Sequence, residues 1–161
     1  MLKSVGAKYV ILGHSENRQK GETDKLINLK IKSAITAKLK VIFCIGETLT
    51  EKKRKKTKSI LSKQIKLGLK KIKAKSDIFV AYEPVWSIGT GKILKTSELE
   101  ETVEFIKKKF KGKSPKILYG GSVNPENIRN LKKITDLDGF LIGGASQSPK
   151  KFIDIVKKTY N

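Results

Sequence analysis

Short apolar runs rich in β-branched residues alternate along this chain with longer charged stretches, in which apolar residues recur every three or four positions. The runs Tyr9–Leu12, Val41–Ile45, Ile78–Tyr82, Ile117–Tyr119 and Gly139–Ile142 predict strands. The stretches Asp24–Ala37, Glu51–Ile72, Ser97–Phe110, Pro125–Leu131 and Pro149–Lys158 predict helices. In Glu51–Ile72 the residues Ile60, Leu61, Ile65, Leu69 and Ile72 fall on one stripe and lysines fill the rest. Helix-start chemistry is present too. Thr96-Ser97 offer hydroxyl caps ahead of Glu98 and Glu100, and Asn124 offers a cap ahead of Pro125.

Strands that alternate with helices call for parallel pairing through crossovers. These strands are apolar at nearly every residue, the pattern of strands covered on both faces. Their C-terminal ends carry the unusual residues: His14, Glu47, Glu83, Gly120-Gly121-Ser122 and Gly143-Gly144. Chemistry gathered at one end of several parallel strands is the mark of an α/β fold of the (β/α)8 barrel type. An open doubly wound sheet shares that polarity, but the first strand-to-helix turn, Gly13-His14-Ser15-Glu16, is not a glycine-rich dinucleotide loop. The glycine pairs come late, as in barrels that build an anion site after their last strands. At 161 residues, against about 250 for a whole barrel of this kind, the chain is expected to form one incomplete barrel domain over 1–161.

Charge alters this picture less than its size suggests. The 36 basic and 15 acidic side chains leave a net +21, which invites a nucleic-acid or polyanion reading. Nearly all the basic residues are lysine, the arginines being Arg18, Arg54 and Arg129, and they are spread over every segment. Base and phosphate readers favour the arginine fork. A solvated lysine surface is therefore the preferred reading, with no nucleic-acid partner expected, and a lysine-rich polyanion binder is the alternative. The run Met1–Gly6 lacks the apolar length of a secretory signal, no run is long enough for a membrane span, and the single Cys44 cannot form an internal disulfide; a cytoplasmic setting is expected.

Two side chains carry the candidate chemistry. Glu83 ends an apolar strand and sits between Tyr82 and Pro84-Val85-Trp86, neighbours that desolvate a carboxylate and raise its pKa toward that of a useful base. Taken alone it reads as a surface carboxylate at a strand end, but its context reverses that. Pro84 stiffens the start of the next loop while Gly89 and Gly91 free its far end, as in a hinged lid. His14, the lone histidine, follows another apolar strand at a short-helix start, a place that disfavours imidazolium. Lone histidines are more often structural. Here a neutral imidazole would donate a hydrogen bond to a carbonyl, and base plus donor make a kit for proton abstraction next to a carbonyl. The pairs Gly120-Gly121 and Gly143-Gly144 let backbone N–H groups approach an anion, which implies a small phosphate ester. Cys44 reads as core packing, and no metal ligand set is visible.

These motifs resemble the triosephosphate isomerase family. Tyr9–Glu16, Val41–Thr48, Ala81–Lys92, Leu118–Asn124 and Phe140–Ser146 match its landmarks in order across the chain, and the Glu83 lid segment is the most specific. The resemblance implies an enediolate isomerisation between dihydroxyacetone phosphate and D-glyceraldehyde 3-phosphate, a step of glycolysis and gluconeogenesis that uses no cofactor. Glu83 would be the base and His14 the electrophile. Gly89, Ser122, Gly143 and Gly144 would bind substrate, Glu16 would support them from behind, and Arg18 would be structural. Asn17 stands where many members have arginine. The resemblance also implies a front portion with an Asn-x-Lys strand, two further strands and a dimer loop, none of which is in this sequence. Met1 is then open to being an internal residue of a longer frame, the family's homodimer is in doubt, and little activity is expected of these 161 residues alone. A related phosphate-binding barrel with another substrate is disfavoured by the pairing of the Glu83 lid with the His14 turn.

Overall fold

The computed structural model describes residues 1–72, 77–110 and 114–161. After a 3-10 turn at Leu2–Val5 come β1 (Tyr9–Leu12), α1 (Ser15–Gln19), α2 (Asp24–Thr36), β2 (Lys40–Ile45), α3 (Leu49–Lys53), α4 (Thr57–Gly68), β3 (Ile78–Tyr82), α5 (Thr96–Lys108), β4 (Lys116–Tyr119), α6 (Ile128–Leu131), β5 (Gly139–Phe140) and α7 (Pro149–Tyr160). The five strands form one parallel sheet in sequence order, β1-β2-β3-β4-β5. That arrangement is the expected α/β class, and it is consistent with part of a (β/α)8 barrel.

Alternation along each strand sorts the side chains onto two faces. Val41, Phe43 and Ile45 of β2, Ile78, Val80 and Tyr82 of β3, and Ile117 and Tyr119 of β4 are buried. They join the apolar stripes of the helices in one core: Ile27 and Ile31 from α2, Leu61 and Ile65 from α4, Leu99, Val103 and Ile106 from α5, and Ile155 from α7. The helices pack in order, α2 against α4 and α4 against α5. The other face carries the registered row Ile11, Ile42, Phe79 and Lys116. It is less covered than the runs of apolar residues predict: Tyr9 is 46% and Ile11 44% exposed. Among the described residues β1 and β5 each pair with a single neighbour, so both are free edges.

Several boundaries differ from those the sequence predicts. The expected helix Glu51–Ile72 is two helices. Thr48 and Glu51 form a capping box that starts α3, and α3 stops after Lys53 because Lys55 turns left-handed at φ 55°. The chain closes that helix with Lys55 N–H donating to Lys52 O and Lys56 N–H to Glu51 O, the glycine-type C-terminal motif built without glycine. Lys38, at φ 57°, ends α2 the same way. The hydroxyls of Thr96 and Ser97 do not cap α5, whose N-cap is Lys95. Asn124 does not cap α6; its Oδ1 accepts from the Glu126 and Asn127 N–H groups in a turn that delays the helix to Ile128. Lysine in the left-handed region costs about 1–2 kcal/mol, which glycine avoids at the expense of a freer unfolded chain. Lys55→Gly is therefore expected to stabilise the fold by about 0.5–1 kcal/mol, measured as an upward shift of the urea midpoint.

Candidate active site

The strands deliver their C-terminal ends to one rim, and the side chains there enclose a pocket of about 380 Å³. Its walls include His14 after β1, Glu83 after β3, Gly89 from the loop beyond Glu83, Ser122 after β4, and Gly143 and Gly144 after β5. Residues scattered over 130 positions of sequence thus converge, the pattern parallel strands with one-sided chemistry produce.

Glu83 extends the β2–β3 ladder by one hydrogen bond, its N–H donating to Ile45 O at 2.8 Å. Two glycines admit it. A Cβ on Gly46 would stand 1.8 Å from the Glu83 carbonyl oxygen, and a Cβ on Gly120 would stand 2.7 Å from its Cγ. The Glu83 side chain is only 4% exposed, and its Oε2 is buried with no hydrogen-bond partner. Burial pushes the Glu83 pKa above the ordinary glutamate value, while His14, the Cys44 thiol, the Ser15 N–H and Arg18 pull the other way. Burial wins, so the carboxylate, once ionised, is a stronger base than a solvated one.

His14 faces it, with Nε2 3.7 Å from Glu83 Oε1. The histidine is the N-cap of α1, and its Nδ1 accepts from the Glu16 N–H at 3.5 Å. With Nδ1 accepting from this N–H, Nε2 is the nitrogen that faces Glu83 and is free to donate. Glu16 thus touches His14 through its backbone, and its carboxylate is exposed. Arg18 pins this corner: Nε donates to Gly13 O at 2.7 Å, one terminal nitrogen to Asp24 Oδ1 at 2.7 Å, and the other to Cys44 O at 3.1 Å. Cys44 is buried in β2, and burial followed by the Glu83 charge drives its thiol pKa upward, the opposite of an activated nucleophile.

The segment after Glu83 lies folded onto the β4 loop. Gly91 N–H donates to Ser122 Oγ at 3.2 Å, Ser122 Oγ donates to Ser87 O at 2.9 Å, and Ser122 N–H donates to Ser87 Oγ at 3.2 Å. Ser122 lines the pocket, yet its hydroxyl and its N–H are both engaged by this segment. Glu47, 1% exposed, anchors the near hinge: Trp86 Nε1–H donates to its Oε1 at 2.9 Å and Tyr82 Oη–H to its Oε2 at 3.2 Å. Lys52 lies 4.1 Å from the centre of the Trp86 ring and pairs with Glu98 at 2.9 Å. Gly89 and Gly91 take φ 67° and 73°, a left-handed backbone that glycine adopts without strain.

Gly143 and Gly144 differ in kind. Neither has a positive φ, both are exposed, and a Cβ on either would meet nothing within 4 Å. Their exposed backbone leaves room for a ligand to approach closely. Glu47 as a lid anchor was not apparent in the sequence, although a second carboxylate closing an apolar strand is a visible signal. Among the described residues no group of three or more histidine, cysteine and acidic side chains could hold a metal ion, and no helix is long and apolar enough to cross a membrane.

The family model described as triosephosphate isomerase matches residues 1–159. Proteins of that name in Thermodesulfovibrio yellowstonii, Carboxydothermus hydrogenoformans and Mycoplasmopsis pulmonis are similar to this chain at 46%, 48% and 48% identity, over 98%, 98% and 100% of its length. The alignments cover 67%, 66% and 64% of those relatives, so the chain spans about two thirds of their length.

Proposed function

Because the chain belongs to the triosephosphate isomerase family, we propose that its pocket carries out the interconversion of dihydroxyacetone phosphate and D-glyceraldehyde 3-phosphate, in the cytoplasm, as a step of glycolysis and gluconeogenesis. Glu83 removes a proton from carbon 1 of dihydroxyacetone phosphate. The electron pair left behind forms the carbon 1–carbon 2 double bond and moves charge onto the carbonyl oxygen, where the His14 Nε2–H donates a hydrogen bond. Glu83 then returns the proton at carbon 2 while the hydroxyl proton on the carbon 1 oxygen passes to the carbon 2 oxygen, leaving the aldehyde at carbon 1 and the hydroxyl at carbon 2. The chemistry is proton transfer alone and calls for no cofactor.

The backbone at Gly89, Gly143 and Gly144 holds the phosphate, and Ser122 contributes by fastening the lid over it. Water exclusion under the lid protects the enediolate from losing phosphate. Glu16 sets the imidazole through its N–H. His14 and Lys151 are the basic side chains on the described pocket walls, and His14 is the one beside Glu83.

The observation that carries this reading is a buried carboxylate with one unpartnered oxygen, 3.7 Å from an imidazole nitrogen, in a pocket walled by glycines. Proton NMR of dihydroxyacetone phosphate in deuterated water tests it, because exchange at carbon 1 reports proton abstraction even where net turnover is slow. Exchange above the buffer rate, suppressed by 2-phosphoglycolate, is expected. Exchange at the buffer rate sinks the proposal.

A further inference from the structure

We propose that Lys151 is a working part of the anion seat, binding the substrate phosphate through its ammonium group, an inference that rests on the reading of the pocket as a phosphate-ester site. The charged side chains on its walls, the imidazole aside, are Glu83, Glu126 and Lys151. Without Lys151 a dianionic phosphate would meet two carboxylates and no compensating cation. Like charges gathered in one pocket repel, and a cation on its wall offsets that cost.

The state of Lys151 fits this role. Lys30, Lys52, Lys58, Lys107, Lys108 and Lys158 each pair with a carboxylate. Lys151 pairs with none among the described residues, although Glu126 lines the same pocket. It also lies in the first turn of α7, a 12-residue helix whose first turn holds no acid. A helix N-terminus repels cations and attracts anions. A lysine on the pocket wall near that helix start, with no ion pair among the described residues, is relieved by an incoming anion. The buried, unpartnered Glu83 Oε2 in the same cavity is a separate sign that the pocket is built around a ligand.

The test uses Trp86, the only tryptophan of the chain, as a fluorescence reporter in the lid. Inorganic phosphate and 2-phosphoglycolate are each titrated into the full chain and into Lys151→Met, Lys151→Arg and Lys150→Met. Lys150 shares the helix turn but does not line the pocket, so it controls for the general positive field. Lys151 is exposed, and unchanged circular dichroism melts confirm that its variants fold. Lys151→Met is expected to weaken both ligands about fivefold to tenfold at low salt, with a smaller loss at high salt. Lys151→Arg retains affinity, and Lys150→Met stays within about twofold. Equal affinities for Lys151→Met and Lys150→Met overturn the role of Lys151 and leave the pocket reading intact. Failure of the unmodified chain to bind either ligand overturns both. Loss for the ester alone, with free phosphate unaffected, also overturns it, because the ammonium would then be reading the carboxylate end.

Discussion

Glu83→Gln is expected to lower carbon 1 exchange by about 10³-fold and, in the same protein, to raise stability at neutral pH. The kinetic loss follows from replacing the base by an amide that cannot accept the proton. The gain in stability follows from burial. The carboxyl of Glu83 is nearly sealed from water with one oxygen unpaired, and its pKa is raised in the fold. A group whose folded pKa lies above its unfolded value contributes stability that is complete below the unfolded value and is lost as pH rises through the folded one. As pH rises the fold loses the stability that the protonated carboxyl gives it, and glutamine, which does not ionise, removes that cost. The advantage of the variant is therefore expected to shrink as pH falls toward the ordinary glutamate value of 4.5 and to disappear below it. Urea midpoints at neutral and acid pH measure this. A variant that loses exchange yet is also less stable at neutral pH would mean that the carboxylate is paired and that its burial is not what makes it basic.

Gly46→Ala is expected to destabilise the fold by about 3 kcal/mol and to displace the base. The added Cβ would stand 1.8 Å from the Glu83 carbonyl oxygen and 2.6 Å from its carbonyl carbon. Both are backbone atoms with little room to yield. The Glu83 N–H is held by Ile45 O at 2.8 Å and the Val85 N–H by Glu47 O at 3.0 Å. Gly46 itself is clamped by Gln64, which accepts from its N–H at 2.9 Å and donates to its carbonyl at 3.0 Å. Relief requires the exits of β2 and β3 to part, which breaks these bonds and carries Glu83 away from His14. A displacement near 1 Å costs about 10²-fold in rate. Urea unfolding and the exchange assay on the folded fraction separate the two effects; an unchanged midpoint would refute the close approach of the two strand ends.

Gly46 and the split of the long helix show how unevenly the structure could be read in advance. The bounds of β1 and β3 follow from their apolar runs and recur unchanged in the fold. The stripe over Glu51–Ile72 is equally clear, and Leu61, Ile65, Leu69 and Ile72 are indeed buried. The break at Lys55 is invisible because periodicity records which residues face the core, not whether the backbone between them stays helical. Glycine announces a left-handed turn and lysine does not. The caps at Thr96 and Asn124 were misplaced because such side chains suit turns and helix starts alike, and the surrounding packing chose between them.

What the sequence determined alone was the order of elements, the parallel pairing and the end of the sheet where chemistry gathers. Those depend on local periodicity and on residues at fixed offsets from strand ends. Tertiary structure decided the rest. It brought Glu83 Oε1 to 3.7 Å from His14 Nε2, tied Trp86 to Glu47 across 39 positions, and set Lys151 on the pocket wall. A chain with 36 basic residues gives Lys151 no local mark over its neighbour Lys150, and only the folded pocket sets one of them on the wall and not the other.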